Sequence, residues 1–119
     1  EKSKSVCIIL NISSGAGKHP IHSWSTYCAS KAALDMLSQV LQLEYPKFKI
    51  YSVSPGIVDT AMQEEIREAD KKDFPEVARF ISYKENGELA SAEIVAQKYV
   101  DFLNNCSKHK DVQYSVRDL

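Results

Sequence analysis

The sequence has little of what marks several common functional classes. Its three cysteines, Cys7, Cys28 and Cys106, are an odd number with no C-x-x-C spacing. That argues against a disulfide framework and a cysteine zinc site, and fits a reducing, cytoplasmic compartment. No apolar run approaches the length of a membrane span, and no signal-peptide pattern follows Glu1. Neither charge sign dominates, since 15 basic and 16 acidic residues leave a net charge of −1. The dense basic spots, Lys71-Lys72 and Lys108-His109-Lys110, each have an acid beside them. Neither nucleic acid nor a membrane is therefore expected as a partner. His19 and His22 flank Pro20 with no third ligand nearby, so no metal site is expected. Glycine numbers four, and the stretch Gly15-Ala16-Gly17-Lys18 fails as a phosphate loop. His19 follows its lysine, and Ile12 holds the place of the earlier glycine.

What is present belongs to a globular chain: 44% hydrophobic and 26% charged over 119 residues, one domain or part of one. VCIILNI (6–12) is apolar and β-branched, and reads as a strand covered on both faces. A helix is expected from Trp24 to Tyr45, with Leu34, Leu37, Val40 and Leu41 recurring at spacings of three and four. Ala29, Ala32, Ala33, Met36 and Leu43 widen its apolar surface, so it is expected to bury two sides. Pro46 ends it. KIYSVSP (49–55) reads as a second strand, and Thr60 with Gln63 as a capping box opening a helix to about Ala69. Further helices are expected over 74–83 and after a Ser91 cap, then a short strand over 112–116. Strands alternating with helices imply a parallel α/β sheet with helices on both faces.

Two tyrosines stand four residues before a lysine: Tyr27 before Lys31, and Tyr45 before Lys49. Residues four apart on a helix share a face. A phenol is a poor acid–base group at neutral pH unless a nearby ammonium favours its phenolate. It can then give a proton to a substrate oxygen or take one from it. Pro46 separates Tyr45 from Lys49, so the second pair cannot share a helical face. Thirteen residues before Tyr27 stands Ser14; thirteen before Tyr45 stands Ala32, which has no hydroxyl. Ser13 is the rival to Ser14. Neighbours on a strand point to opposite faces, and the spacing favours Ser14.

Three segments in order, LNISSGAG (10–17), YCASKAAL (27–34) and SVSPGIVDTAM (52–62), make the whole chain resemble the C-terminal half of a short-chain dehydrogenase/reductase. SWSTYCASKAALDM, PGIVDTAMQEEIR and KKDFPEVARF look most like the bacterial benzil reductases that form (S)-benzoin and their sepiapterin reductase relatives. The resemblance implies half of a Rossmann-type, doubly wound sheet. It implies Tyr27 as the general acid, Lys31 as its electrostatic partner and ribose ligand, and Ser14 as the group that orients the carbonyl. Pro55, Gly56 and Ile57 would line the nicotinamide pocket, with Thr60 near the carboxamide or pyrophosphate. Trp24, Met62 and Phe80 would supply apolar walls, within a lid running from Ala61 to about Tyr83. The implied cofactor is NADP(H), with NAD(H) the alternative, and the implied substrate is a small ketone or diketone. Family members commonly form homodimers through the helix that corresponds to 24–45.

The chain departs from the family in one respect. The family's first half is absent: no G-x-x-x-G-x-G occurs, and the residue that reads the ribose 2′ position, the Asn-Asn-Ala-Gly strand and the helix asparagine of the family's proton relay are missing. Residues 1–119 are thus expected to be the catalytic half of one reductase domain, inactive without its dinucleotide-binding half. The other reading is a truncated piece that associates through its long apolar helix.

Overall fold

A computed structural model describes residues 6–119 of the chain. Three parallel strands, β1 (Ile8–Ile12), β2 (Lys49–Ser54) and β3 (Gln113–Ser115), lie in the order β1-β2-β3. Ile12 pairs with Val53, and Val53 with Tyr114. The helix α1 (Ser25–Glu44) connects β1 to β2. Between β2 and β3 run α2 (Ala61–Arg67), α3 (Val77–Glu85) and α4 (Ala92–Asn104). The α/β architecture expected from the sequence is observed, with α1 on one face of the sheet and α4 on the other.

Local signals set several boundaries. Pro46 forces Tyr45 out of the helical region, and α1 stops at Glu44. The Ser91 hydroxyl accepts the Ile94 N–H at 3.2 Å and starts α4. Backbone and Ser91 hydrogen bonds at this cap hold the Glu93 carboxyl below its usual range. Two expectations fail. Phe74 lies outside α3, which begins at Val77, because Pro75 bars the residue before it from the helical region. The Thr60–Gln63 capping box does not form: Thr60 makes no side-chain cap, and Gln63 turns inward and is buried.

Side chains alternate across a strand, so β2 sends Tyr51 and Val53 toward α4, and Ile50 and Ser52 toward α1. The α4 face is an apolar core of Tyr51, Val53, Val95, Phe102, Cys106 and Val116. Phe102 meets Tyr51 edge-on at 4.8 Å and stacks on His109 at 4.3 Å. The Tyr51 hydroxyl donates to the Cys106 and His109 carbonyls, both at 3.1 Å. Tyr99 donates to the Val53 carbonyl at 2.8 Å, an oxygen that also accepts the Ser13 N–H at 2.9 Å. Burial pushes both phenols up to about 12.

The α1 face differs from expectation. The buried residues of α1 are Asp35 and Ser38, while Met36 is 60% and Leu43 83% exposed. Leu37 and Val40 are exposed as well. The helix thus covers the sheet with a polar stripe and leaves its apolar side open, rather than burying two sides. The first strand is not covered on both faces either: β1 is an edge strand, and Ile12 is 48% exposed.

Candidate active site

β1 ends in two serines with different surroundings. Ser13 is buried and its hydroxyl donates to the Asp35 carboxyl. Ser14 is half-buried, and its Oγ accepts the Ala16 N–H at 3.1 Å, capping a 3-10 turn over Gly15–Gly17. Ser13 is therefore committed to the interior. Ser14 keeps its hydroxyl proton free of any such partner among the described residues.

The turn after Ser14 lies against α1. A Cβ placed on Gly17 would stand 2.9 Å from the Lys31 backbone carbon, so only glycine allows this approach. Lys31 donates from Nζ to the Ile12 carbonyl at 2.9 Å. The same Nζ lies 5.7 Å from the centre of the Tyr27 ring, as expected for a shared helical face. One ammonium thus touches the strand end and stands beside the phenol.

Tyr27 opens onto a cleft of about 460 Å³ shared with Trp24, Thr26, Met62, Ile66 and Phe74. Trp24 meets the Tyr27 ring edge-on at 5.6 Å and stacks on Phe74 at 5.2 Å. Two of the expected apolar wall residues, Trp24 and Met62, line this cleft. Phe80 does not: it is buried behind them, 5.3 Å from Trp24, in a cluster with Phe74 and Val77. Phe74 and Ile66 are wall residues that the sequence reading missed. An aromatic residue before Pro75, in the stretch assigned to the lid, was the available signal for Phe74.

The turn after β2 stands at the same end of the sheet. Ile12 pairs with Val53, so Ser14 and Pro55 each lie two residues beyond that pair. Ligands of open α/β sheets bind at this carboxyl end of the strands. Gly56 has φ +78°, and a Cβ there would meet the Arg117 Nε at 3.2 Å. The backbone conformation therefore favours glycine, while the Arg117 side chain could move aside. The Ile57 carbonyl accepts the Ala90 N–H at 2.9 Å, which fixes the far side of the turn. Pro55, Gly56 and Ile57 line a smaller cleft of about 220 Å³ with Lys98 and Arg117, separate from the Tyr27 cleft. Thr60 is exposed at the start of α2, and Asp59 before it pairs with Lys84 at 2.9 Å. Among the described residues no cluster of three histidine, cysteine, aspartate or glutamate side chains suits a metal. No helix among them is long and apolar enough to cross a membrane.

Comparison with known proteins places this geometry in context. A family model described as short chain dehydrogenase matches residues 2–71. Benzil reductase ((S)-benzoin forming) of Bacillus cereus is 48% identical over 94 residues, covering 75% of this chain and 37% of that protein. Sepiapterin reductase of Bos taurus is 39% identical over 98 residues, covering 82% of this chain and 36% of that protein. A solved short chain dehydrogenase/reductase from Saccharomyces cerevisiae superposes with a TM-score of 0.77 at 30% identity. That match covers 92% of this chain and 45% of the other. The chain thus spans less than half the length of each of these relatives. The likeness to benzil and sepiapterin reductases read from SWSTYCASKAALDM, PGIVDTAMQEEIR and KKDFPEVARF agrees with these matches.

Proposed function

The chain belongs to the short chain dehydrogenase family, and from that premise we propose that it carries the catalytic half of an NADP(H)-dependent carbonyl reductase acting on a small ketone or diketone. The observation that carries this reading is the Tyr27–Lys31 face beside the apolar cleft, with the Ser14 turn held against it. The names of the relatives favour a carbonyl substrate.

The residues present suit the nicotinamide end of such a cofactor. The Pro55–Ile57 turn has a bare glycine at its centre. Lys31 commits one donor to Ile12 and keeps two for a ribose. The sequence has no glycine-rich turn for the pyrophosphate, so we assign residues 1–119 to one half of a catalytic domain and infer that they are inactive alone. When bound, the cofactor supplies the hydride that reaches the carbonyl carbon.

The chain's own residues handle the oxygen. Ser14 donates a hydrogen bond that holds the carbonyl in line with Tyr27. The Tyr27 hydroxyl gives its proton to that oxygen as it becomes an alkoxide, leaving a phenolate that solvent reprotonates. The Lys31 ammonium stabilises the negative charge left on the phenol. Trp24, Met62 and Phe74 exclude water and receive the apolar parts of the ketone. Thr60 is placed at the cofactor side by the resemblance alone; its helix is only seven residues long.

The test is benzil-dependent NADPH oxidation by residues 1–119 and by the full-length protein that contains them. We expect no turnover from the former and turnover from the latter. Tyr27→Phe in the full-length protein should lower kcat by about 10²–10⁴-fold. Its melting temperature should barely move, because Tyr27 is only half-buried. A Tyr27→Phe enzyme with more than about a tenth of wild-type kcat would remove Tyr27 from the role of acid. The exposed Met36, Leu37, Val40 and Leu43 support a homodimer formed through α1. Three free thiols support a cytoplasmic setting.

A further inference from the structure

We propose that Asp35 is a positioning residue, a buried strut that fixes the separation between Ser14 and Tyr27. The proposal rests on the roles given to those two residues above.

Tyr27, Lys31 and Asp35 follow one another at spacings of four and form one stripe of α1. Asp35 is 5% exposed. Its Oδ1 accepts the Ser13 hydroxyl and, at 2.6 Å, the Ser52 hydroxyl. One helix atom therefore holds the end of β1 and the middle of β2 together. Ser13 is bonded directly to Ser14, so any movement of this joint is transmitted to the substrate-orienting hydroxyl.

Two neighbours on α1 complete the grip. Ser38 accepts from the Asn11 amide at 3.0 Å, and Lys31 donates to the Ile12 carbonyl at 2.9 Å. Residues 11, 12 and 13 are thus each held by α1, and of the three holds only Asp35 spans two strands. Its second oxygen is buried without a partner among the described residues, and a Cβ on Gly17 would lie 3.0 Å from it. A buried carboxyl with one oxygen unpaired opposes folding, and an apolar residue of similar size often packs more stably. Packing alone therefore does not explain an acid here. The geometry it imposes on the serine pair does.

The test compares Asp35→Ala with Asp35→Asn in the full-length protein. Asparagine keeps an acceptor oxygen for both serines, and alanine keeps none. Asp35→Ala should lower kcat about tenfold or more per folded molecule, because small misplacements of reacting groups are costly. The KM for NADPH should stay within about threefold, since this contact lies away from the cofactor turn. Asp35→Asn should restore most of the loss. An Asp35→Ala enzyme with wild-type kcat per folded molecule would overturn the proposal, and so would an asparagine variant as impaired as alanine. Should the full-length protein reduce no ketone, the functional reading fails and the strut is judged by NMR with labelled serine amides. The Ser14 resonance should then shift in Asp35→Ala and return in Asp35→Asn. A Ser14 resonance unmoved in Asp35→Ala would sink the strut.

Discussion

The two faces of the sheet meet their helices with opposite chemistry. Toward α4, β2 presents Tyr51 and Val53 to Phe102, Val95 and Val116, and contact there is apolar and aromatic. Toward α1 it presents Ile50 and Ser52, and the contacts there that involve the helix's buried residues are polar, running through Asp35, Ser13, Ser38 and Asn11. Apolar burial is strong and non-directional, about 1.5–3 kcal/mol for a large side chain. A hydrogen bond contributes about 1 kcal/mol net, but it fixes distance and angle. One face therefore supplies cohesion and the other supplies placement, and the proposed Ser14–Tyr27–Lys31 site belongs to the placing face.

The strongest challenge to that division is Phe102→Ala. Removing a ring buried between Tyr51, His109 and Tyr114 should cost about 3–5 kcal/mol in urea unfolding of the full-length protein. Ser52→Ala, on the other face, should cost far less. Equal losses would erase the contrast. A smaller effect is expected at the α4 cap, where Ser91→Ala should cost about 1 kcal/mol and leave kcat unchanged. A fall in kcat beyond the loss of folded protein would show that α4 also places the site.

The mildest test uses alkali. Tyr51 and Tyr99 have folded values raised to about 12, above the ordinary value of 10. Their neutral forms are favoured by folding, so their contribution is complete below pH 10 and is lost as pH rises toward 12. The denaturation midpoint should decline over that window, and Tyr99→Phe should flatten the decline. An undiminished slope in Tyr99→Phe would assign the alkaline loss elsewhere.

Much of this arrangement is written in local signals. Pro46 marks the end of α1, and Ser91 marks the start of α4. The polar stripe of α1 escaped sequence reading for a physical reason. Periodicity finds the apolar side of a helix and assigns it inward. On α1 the described partner is a strand surface that sets Asn11, Ser13 and Ser52 beside Ile50, so Asp35 and Ser38 face inward to pair with its polar groups and Leu43 does not. The resemblance implies a place for Phe80 in the cleft wall. Its place behind Trp24 depends on how α3 packs, which no spacing in the sequence encodes. Thr60 has the residue type of a cap, but the fate of its partner Gln63 was decided by burial, not by the motif.

The Val53 carbonyl, which takes the Ser13 N–H from β1 and the Tyr99 hydroxyl from α4, has a further consequence. An acceptor shared by two donors couples them, because loss of one changes the polarity offered to the other. Position 99 lies among core neighbours yet bonds to the same atom as Ser13. In a library of all single substitutions scored for turnover, its pattern of tolerance should group with the serine turn rather than with the apolar residues that surround it.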